Sequence, residues 1–399
     1  MIKLLKTNFE LSKVLKLIFY VWVFFITANL ARFTFYKNGN EWIHGGWLIN
    51  SNVEAVRRGD FGAVMLWIAD LFQFNPVYMV GIMHFALFVL LAYAINDTLL
   101  KNKQLSNALW PLILSPAFFI FFWINATSGI RKEIFTFTAL ATLALAIKKN
   151  KNELIVLATI IECIGIIGHE FNLLFSPIFG LGLFLACQPR HIKTFILMLL
   201  LVGSSSLYSI FNGVFLMAPE NIAPLCNELL IRNVPEHLCG PLDWLNKDSA
   251  HAANGVFSML ASKPVDALIT LVVYFASIYF GVIRSKILHS KYATLGFILT
   301  LLLALPLFFV AQDYGRIIYT QFSTFTLIAL ILSYKNADMV QTLEFNKFDF
   351  SALIALNTFF PLSIMIGASD RRLLAILILM SMGYFIYKAI SKIKARLYN

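Results

Sequence analysis

Four short stretches of this chain place anion-binding groups beside groups that move protons. GIRKEIF carries Arg131, Lys132 and Glu133; GHE carries His169 and Glu170; AQDYGR carries Asp313 and Arg316; GASDRR carries Asp370, Arg371 and Arg372. A fifth, less compact group is His44, Arg57, Arg58 and Asp60. Arginine offers a planar fork of N–H donors that matches the paired oxygens of phosphate or carboxylate. Histidine and carboxylates are the usual carriers of protons. Glu162 precedes His169 by seven residues, two helical turns, so the two share a helix face. A carboxylate at that depth in an apolar segment faces a cavity or a partner. Each group also has a plainer reading. Charges at span ends snorkel to an interface and anchor the helix, His169 can be a hydrogen-bonded helix-end residue, and Glu162 can pair with a neighbouring helix.

The elements that must position these groups are membrane helices. Of 399 residues, 59% are hydrophobic and 13% charged, against about 25% charged in soluble domains. Apolar stretches near twenty residues recur along the chain, each long enough to cross a hydrocarbon core of roughly 30 Å. The expected fold is an all-α polytopic membrane protein, one domain over 1–399. About twelve spans are expected, near 14–36, 76–99, 107–125, 132–148, 154–168, 171–187, 194–217, 266–283, 292–311, 317–333, 351–368 and 373–390. The first, preceded by Lys3, Lys6, Lys13 and Lys16, reads as a retained anchor rather than a signal peptide. Segment 61–74, with Asp70, reads as an interfacial or re-entrant helix.

Basic residues set the orientation. With both ends cytoplasmic, twenty of the 32 Lys and Arg fall inside and twelve outside, the bias of a bacterial inner-membrane protein. Eight of the eleven arginines fall on the outer side, against that gradient: Arg32, Arg57, Arg58, Arg131, Arg232, Arg316, Arg371 and Arg372. The net charge of +11 is therefore largely topological and no argument for nucleic acid. Cys226 and Cys239 share the longest loop, 218–265, on the periplasmic side, where an oxidising compartment favours a disulfide. Cys163 and Cys187 fall within spans.

No P-loop, no GxGxxG, no metal-type Cys/His cluster and no Asp-x-Asp pair in the first outer loop is present. Neither a cofactor nor a metal is expected. The inner loops leave no room for a nucleotide-sugar domain, so a sugar donor would have to be lipid-linked and presented outside.

GIRKEIFTFTALATLALAIKKNKN, followed about forty residues after Arg131 by GHEFNLLFSPIF and later by DYGRIIYT, resembles the EpsG-like branch of bacterial polysaccharide polymerases, related to Wzy-type O-antigen polymerases. The resemblance covers roughly 125–180 and 310–320. It implies a GT-C-like, periplasm-facing glycosyltransferase that moves a glycan from undecaprenyl pyrophosphate onto another undecaprenyl-linked repeat unit. The end product would be O-antigen, capsule or exopolysaccharide, with a chain-length regulator as a further partner. On that reading His169 or Glu170 takes the acceptor proton, with His169 favoured because its ordinary pKa lies near working pH. Arg131, Arg316 and one of Arg57 and Arg58 grip pyrophosphate, with Arg371, Arg372, Asp313 and Glu162 lining the same site. The alternative is a flippase for the same lipid-linked sugars, which would carry charges at mid-depth and on both faces. A membrane O-acyltransferase and a non-catalytic scaffold complete the alternatives.

Overall fold

The structure is a computed structural model describing residues 11–115, 131–187, 192–216, 219, 221–247, 249–284, 290–311, 313–335 and 347–359. Among these residues all regular structure is helical. The chain runs through α1 (Leu11–Ala31), α2 (Gly59–Phe72), α3 (Pro76–Ile95), α4 (Lys103–Ile113), α5 (Ile134–Lys149), α6 (Asn152–Gly168), α7 (Glu170–Cys187) and α8 (Ile192–Phe215). It continues through α9 (Ala223–Leu230), α10 (Ser249–Ser262), α11 (Pro264–Ser277), α12 (Lys291–Ala304), α13 (Leu307–Val310), α14 (Tyr314–Lys335) and α15 (Lys347–Phe359).

Two helices form the centre. Every residue of α5 from Ile134 to Ala146 is buried, and so is every residue of α14 from Ile317 to Ser333. Burial on all sides means that other helices, not lipid, surround these two. Here α5 packs against α3, α6, α7 and α14, and α14 also against α7 and α12. Several threonines inside this core return their hydroxyls to their own helix, while Thr136 and Thr138 donate across to Glu162 and to the Leu87 carbonyl. Thr142 donates to the carbonyl of Thr138 at 2.7 Å, and Thr324 to that of Thr320 at 2.8 Å.

Six helical segments are long and apolar enough to cross a membrane: Leu11–Tyr36, Pro76–Leu100, Glu170–Cys187, Ile192–Gly213, Lys291–Val310 and Tyr314–Lys335. These bear out an all-α protein with membrane-type helices, but they are six among the described residues rather than the expected twelve. Length explains part of the difference. The central α5 has 16 residues and α6 has 17, which at about 1.5 Å per residue is roughly 24–26 Å, short of the hydrocarbon core. The apolar part of the segment expected at 266–283 is only Thr270–Ile283. The segments expected at 107–125, 351–368 and 373–390 lie partly or wholly outside the described residues.

Region 218–265, expected as a loop, is a folded cap. It contains α9, a 3-10 segment Glu236–Trp244 and α10. A disulfide joins Cys226 to Cys239 across it. Arg232 reaches Asp70 at the end of α2 through two 2.8 Å bonds, and Asn50 donates to the carbonyl of Leu225 at 3.4 Å. Helix α2 is continuous, with Trp67, Leu71 and Phe72 exposed, as an interfacial helix requires.

Beneath the cap, His44 is fully buried. The Asn40 N–H donates to its Nδ1 at 3.1 Å, and its Nε2 lies 3.0 Å from the Thr34 hydroxyl. Burial pushes its pKa down to about 4. The unfolded chain therefore takes up a proton between pH 6.5 and 4 that the folded chain does not, and stability falls as pH drops through that window. The loss from this residue should total about 3 kcal/mol. Thermal unfolding of detergent-solubilised protein at pH 7 and pH 5 should show this slope, and His44→Gln should make it shallower. An unchanged slope in the variant would refute the assignment.

Candidate functional site

Four helices begin at one place. The turn Arg131–Glu133 leads into α5, His169 leads into α7, Asp313 leads into α14, and Arg58 leads into α2. Ion pairs stitch these starts together. Arg58 Nε bonds to Glu170 Oε2. Arg131 lies 3.9 Å from Asp313, and Arg316 lies 3.6 Å from Glu133 and 4.0 Å from Asp313. Each helix start also brings the positive end of its dipole to the cluster. Four cations (Arg58, Arg131, Lys132, Arg316) thus meet three carboxylates (Glu133, Glu170, Asp313) at a place already favourable to an anion.

The local sequence explains the convergence. Gly165 lets α6 approach α5 so closely that a Cβ there would lie 2.6 Å from the Cβ of Phe135. Asn172, almost fully buried, donates to the carbonyls of Lys132 at 3.0 Å and Gly165 at 2.9 Å, tying the start of α5 to the end of α6. Lys132 is itself buried and donates to the Gly168 carbonyl at 2.8 Å. Arg58 has φ +66°, left-handed backbone that costs a side-chain-bearing residue about 1–2 kcal/mol. Holding an arginine there is what places its guanidinium on Glu170.

The ion pairs of Arg316 are long compared with charge-assisted hydrogen bonds of about 2.7–2.9 Å. Its Nε is buried with no hydrogen-bond acceptor, and Glu133 Oε1 accepts no hydrogen bond either. The guanidinium instead lies 5.1 Å from the ring centre of Phe171, as Arg131 lies 5.1 Å from Trp42. Burial, and next to it Arg316, pulls Arg131 down to about 10, so it stays charged at neutral pH.

His169 differs in state from the sequence expectation. Burial first, then Arg58, Lys132, Arg316 and Arg131, holds its pKa well below the usual 6.5, so the ring is neutral. The Phe171 N–H donates to its Nδ1 at 2.9 Å. The single ring proton is thereby fixed on Nε2, and a neutral ring with that tautomer presents a donor, not a base. Proton acceptance falls to the carboxylates, Glu170 and Glu133.

Of the residues singled out in the sequence, Arg58, Arg131, His169, Glu170, Asp313 and Arg316 are brought together. Arg57 is not. It donates to the cap carbonyls of Trp244 at 2.8 Å and Lys247 at 3.3 Å. Glu162 lies deeper, where it accepts a 3.3 Å bond from Thr136 and keeps Oε2 without a partner. Arg371 and Arg372 lie outside the described residues. Lys132 and Glu133, from the same charged stretch as Arg131, also belong to the cluster, and so does Asn172, which did not stand out in the sequence and for which an Asn in the first turn of an apolar span was the available signal. Among the described residues, no three His, Cys, Asp or Glu side chains are grouped to hold a metal ion. The chain matches no protein-family model, no curated protein and no solved structure.

Proposed function

We propose that this chain is a glycosyltransferase of the polysaccharide-polymerase type in a bacterial inner membrane. It would transfer a glycan from undecaprenyl pyrophosphate onto the terminal sugar of another lipid-linked repeat unit. The observation that carries this reading is the meeting of four helix starts with Arg58, Arg131, Lys132 and Arg316, and in particular the loosely paired fork of Arg316. Breaking a bond to a pyrophosphate leaves charge on its oxygens. Preorganised cations and N–H groups in a poorly solvated site stabilise such charge. The acceptor hydroxyl must lose a proton, and Glu170 or Glu133 stands beside the same cations to take it. The neutral His169 donates from Nε2 and so orients an oxygen of donor or acceptor.

The short central helices suit a lipid substrate. With α5 about 24 Å long, the cluster at its start would be recessed to the depth of the lipid headgroups. This reading carries with it the periplasmic orientation, the cytoplasmic chain ends and the GT-C-like arrangement of about twelve spans expected from the sequence. To test it, full-length protein in nanodiscs would receive synthetic undecaprenyl-pyrophosphate repeat unit without nucleotide. A ladder of lipid-linked oligomers is the expected result. Movement of that lipid across a liposome bilayer with no ladder would replace the polymerase by a flippase.

A further inference from the structure

Beside the cation cluster, two indoles lead from the site toward the surface of the cap. Trp42, half-buried, presents its ring to the Arg131 guanidinium at 5.1 Å. Trp244, 36% exposed, meets Trp42 with ring centres 6.0 Å apart at 66°. Lys247 lies 3.8 Å from the Trp244 ring centre. The order Arg131, Trp42, Trp244, Lys247 is thus a continuous path from buried charge to solvent.

This path is built rather than incidental. Arg57 holds the backbone of Trp244 and Lys247 through their carbonyls, and the disulfide between Cys226 and Cys239 anchors the 3-10 segment that ends in Trp244. The Glu41 carboxylate is set close against Gly240, where an added Cβ would lie 2.3 Å from Oε1. A pair of indoles with Glu41 beside Trp42 and Lys247 over one face of Trp244 matches a particular chemistry. The C–H face of a pyranose packs on an electron-rich ring, while its hydroxyls reach charged donors and acceptors beside it. A bilayer chain would need none of those charges, and a nucleic acid would meet Glu41.

We propose that Trp42 and Trp244 form a saccharide subsite that feeds the acceptor end of a glycan toward Arg131. It deepens the glycosyltransferase reading and rests on it for the word acceptor, though not for sugar binding itself. The test uses full-length protein in detergent on an array of lipid-free bacterial oligosaccharides, so no pyrophosphate takes part. At least one glycan should be retained, Trp244→Ala should weaken it roughly tenfold, and Trp244→Phe should restore most of it. Gly46→Ala, with no atom within 4 Å of its Cβ position, should leave it unchanged. Equal binding by Trp244→Ala, or no glycan retained by the unaltered chain, overturns the subsite. Because the Trp244 side chain is partly exposed and only its carbonyl serves Arg57, the melting temperature should hold. The transfer assay separates the two claims. Trp244-dependent retention with no oligomer ladder keeps the subsite and removes the polymerase, whereas a ladder with an unchanged acceptor KM in Trp42→Ala and Trp244→Ala does the reverse.

Discussion

Arg316→Lys should fold as well as the unaltered chain and, in the transfer reaction proposed here, react about a hundredfold more slowly. The two parts of this expectation have separate causes. Arg316 pairs with Glu133 at 3.6 Å, and that side chain is only 5% exposed. Removing the positive charge would leave a buried carboxylate with fewer compensating cations, at a cost of up to about 3–5 kcal/mol. Lysine keeps the charge and so keeps the fold, but it loses the planar fork and the contact with the Phe171 ring. Where a fork spans two oxygens of a leaving pyrophosphate, an ammonium is a point charge and no substitute. Losing one preorganised donor to developing negative charge costs about 10²–10³ in rate. Initial rates at saturating donor, read beside melting temperature, check both halves. Wild-type rates with normal melting would show that the fork is only structural. Arg316→Gln should fail in both measurements.

The sequence made the site's membership visible and its internal logic invisible. Charges that end successive apolar runs meet only where those helices pack together, and the packing of α5 against α6, α7 and α14 is what brings Arg131, His169, Asp313 and Arg316 to one place. The state of His169 could not be read this way, because it depends on where the Phe171 N–H points after the break between α6 and α7. Arg57 and Arg58 were equivalent as letters. The left-handed backbone at Arg58 is what turns one side chain onto Glu170 and leaves the other on the cap carbonyls. Lys132 and Glu133 read as part of a charged span end, yet both are buried, since the chain tucks the first turn of α5 under Gly168.

The fold was legible by the same reasoning and to the same depth. Hydropathy identifies helices that lipid must surround, so the all-α class followed from composition. It cannot identify which helices other helices surround. Central α5 and α14 are buried on every side, and α5 can be short because its ends need not reach water alone. The cap at 218–265 escaped detection for the opposite reason. Its helices are short, and beyond the disulfide that the two loop cysteines suggested, its order comes from long-range bonds such as Arg232 to Asp70, which have no local signature.

The anchorage of α2 gives the strongest test of how the fold holds the site. Gly62 lies in the first turn of that helix, and a Cβ there would lie 1.8 Å from the carbonyl oxygen of Ile49 and 2.6 Å from its carbon. Both are backbone atoms, so no rotamer change relieves the clash. Alanine would otherwise favour the helix over glycine by about 1 kcal/mol, yet overpacking against an immovable neighbour costs about 1–3 kcal/mol or more, and here the overlap exceeds an ångström. Relief requires α2 to move away from the segment at Leu48 and Ile49, carrying Arg58 off Glu170. Gly62→Ala should therefore lose about 2 kcal/mol or more of net stability and most transfer activity together. Gly46→Ala, with no atom within 4 Å of its Cβ position, should change neither and serves as the control. The clash predicts coupled loss of melting temperature and rate in Gly62→Ala alone. Normal melting with normal rates in that variant would show that the Ile49 backbone yields, and that the position of Arg58 is not set by the seating of α2.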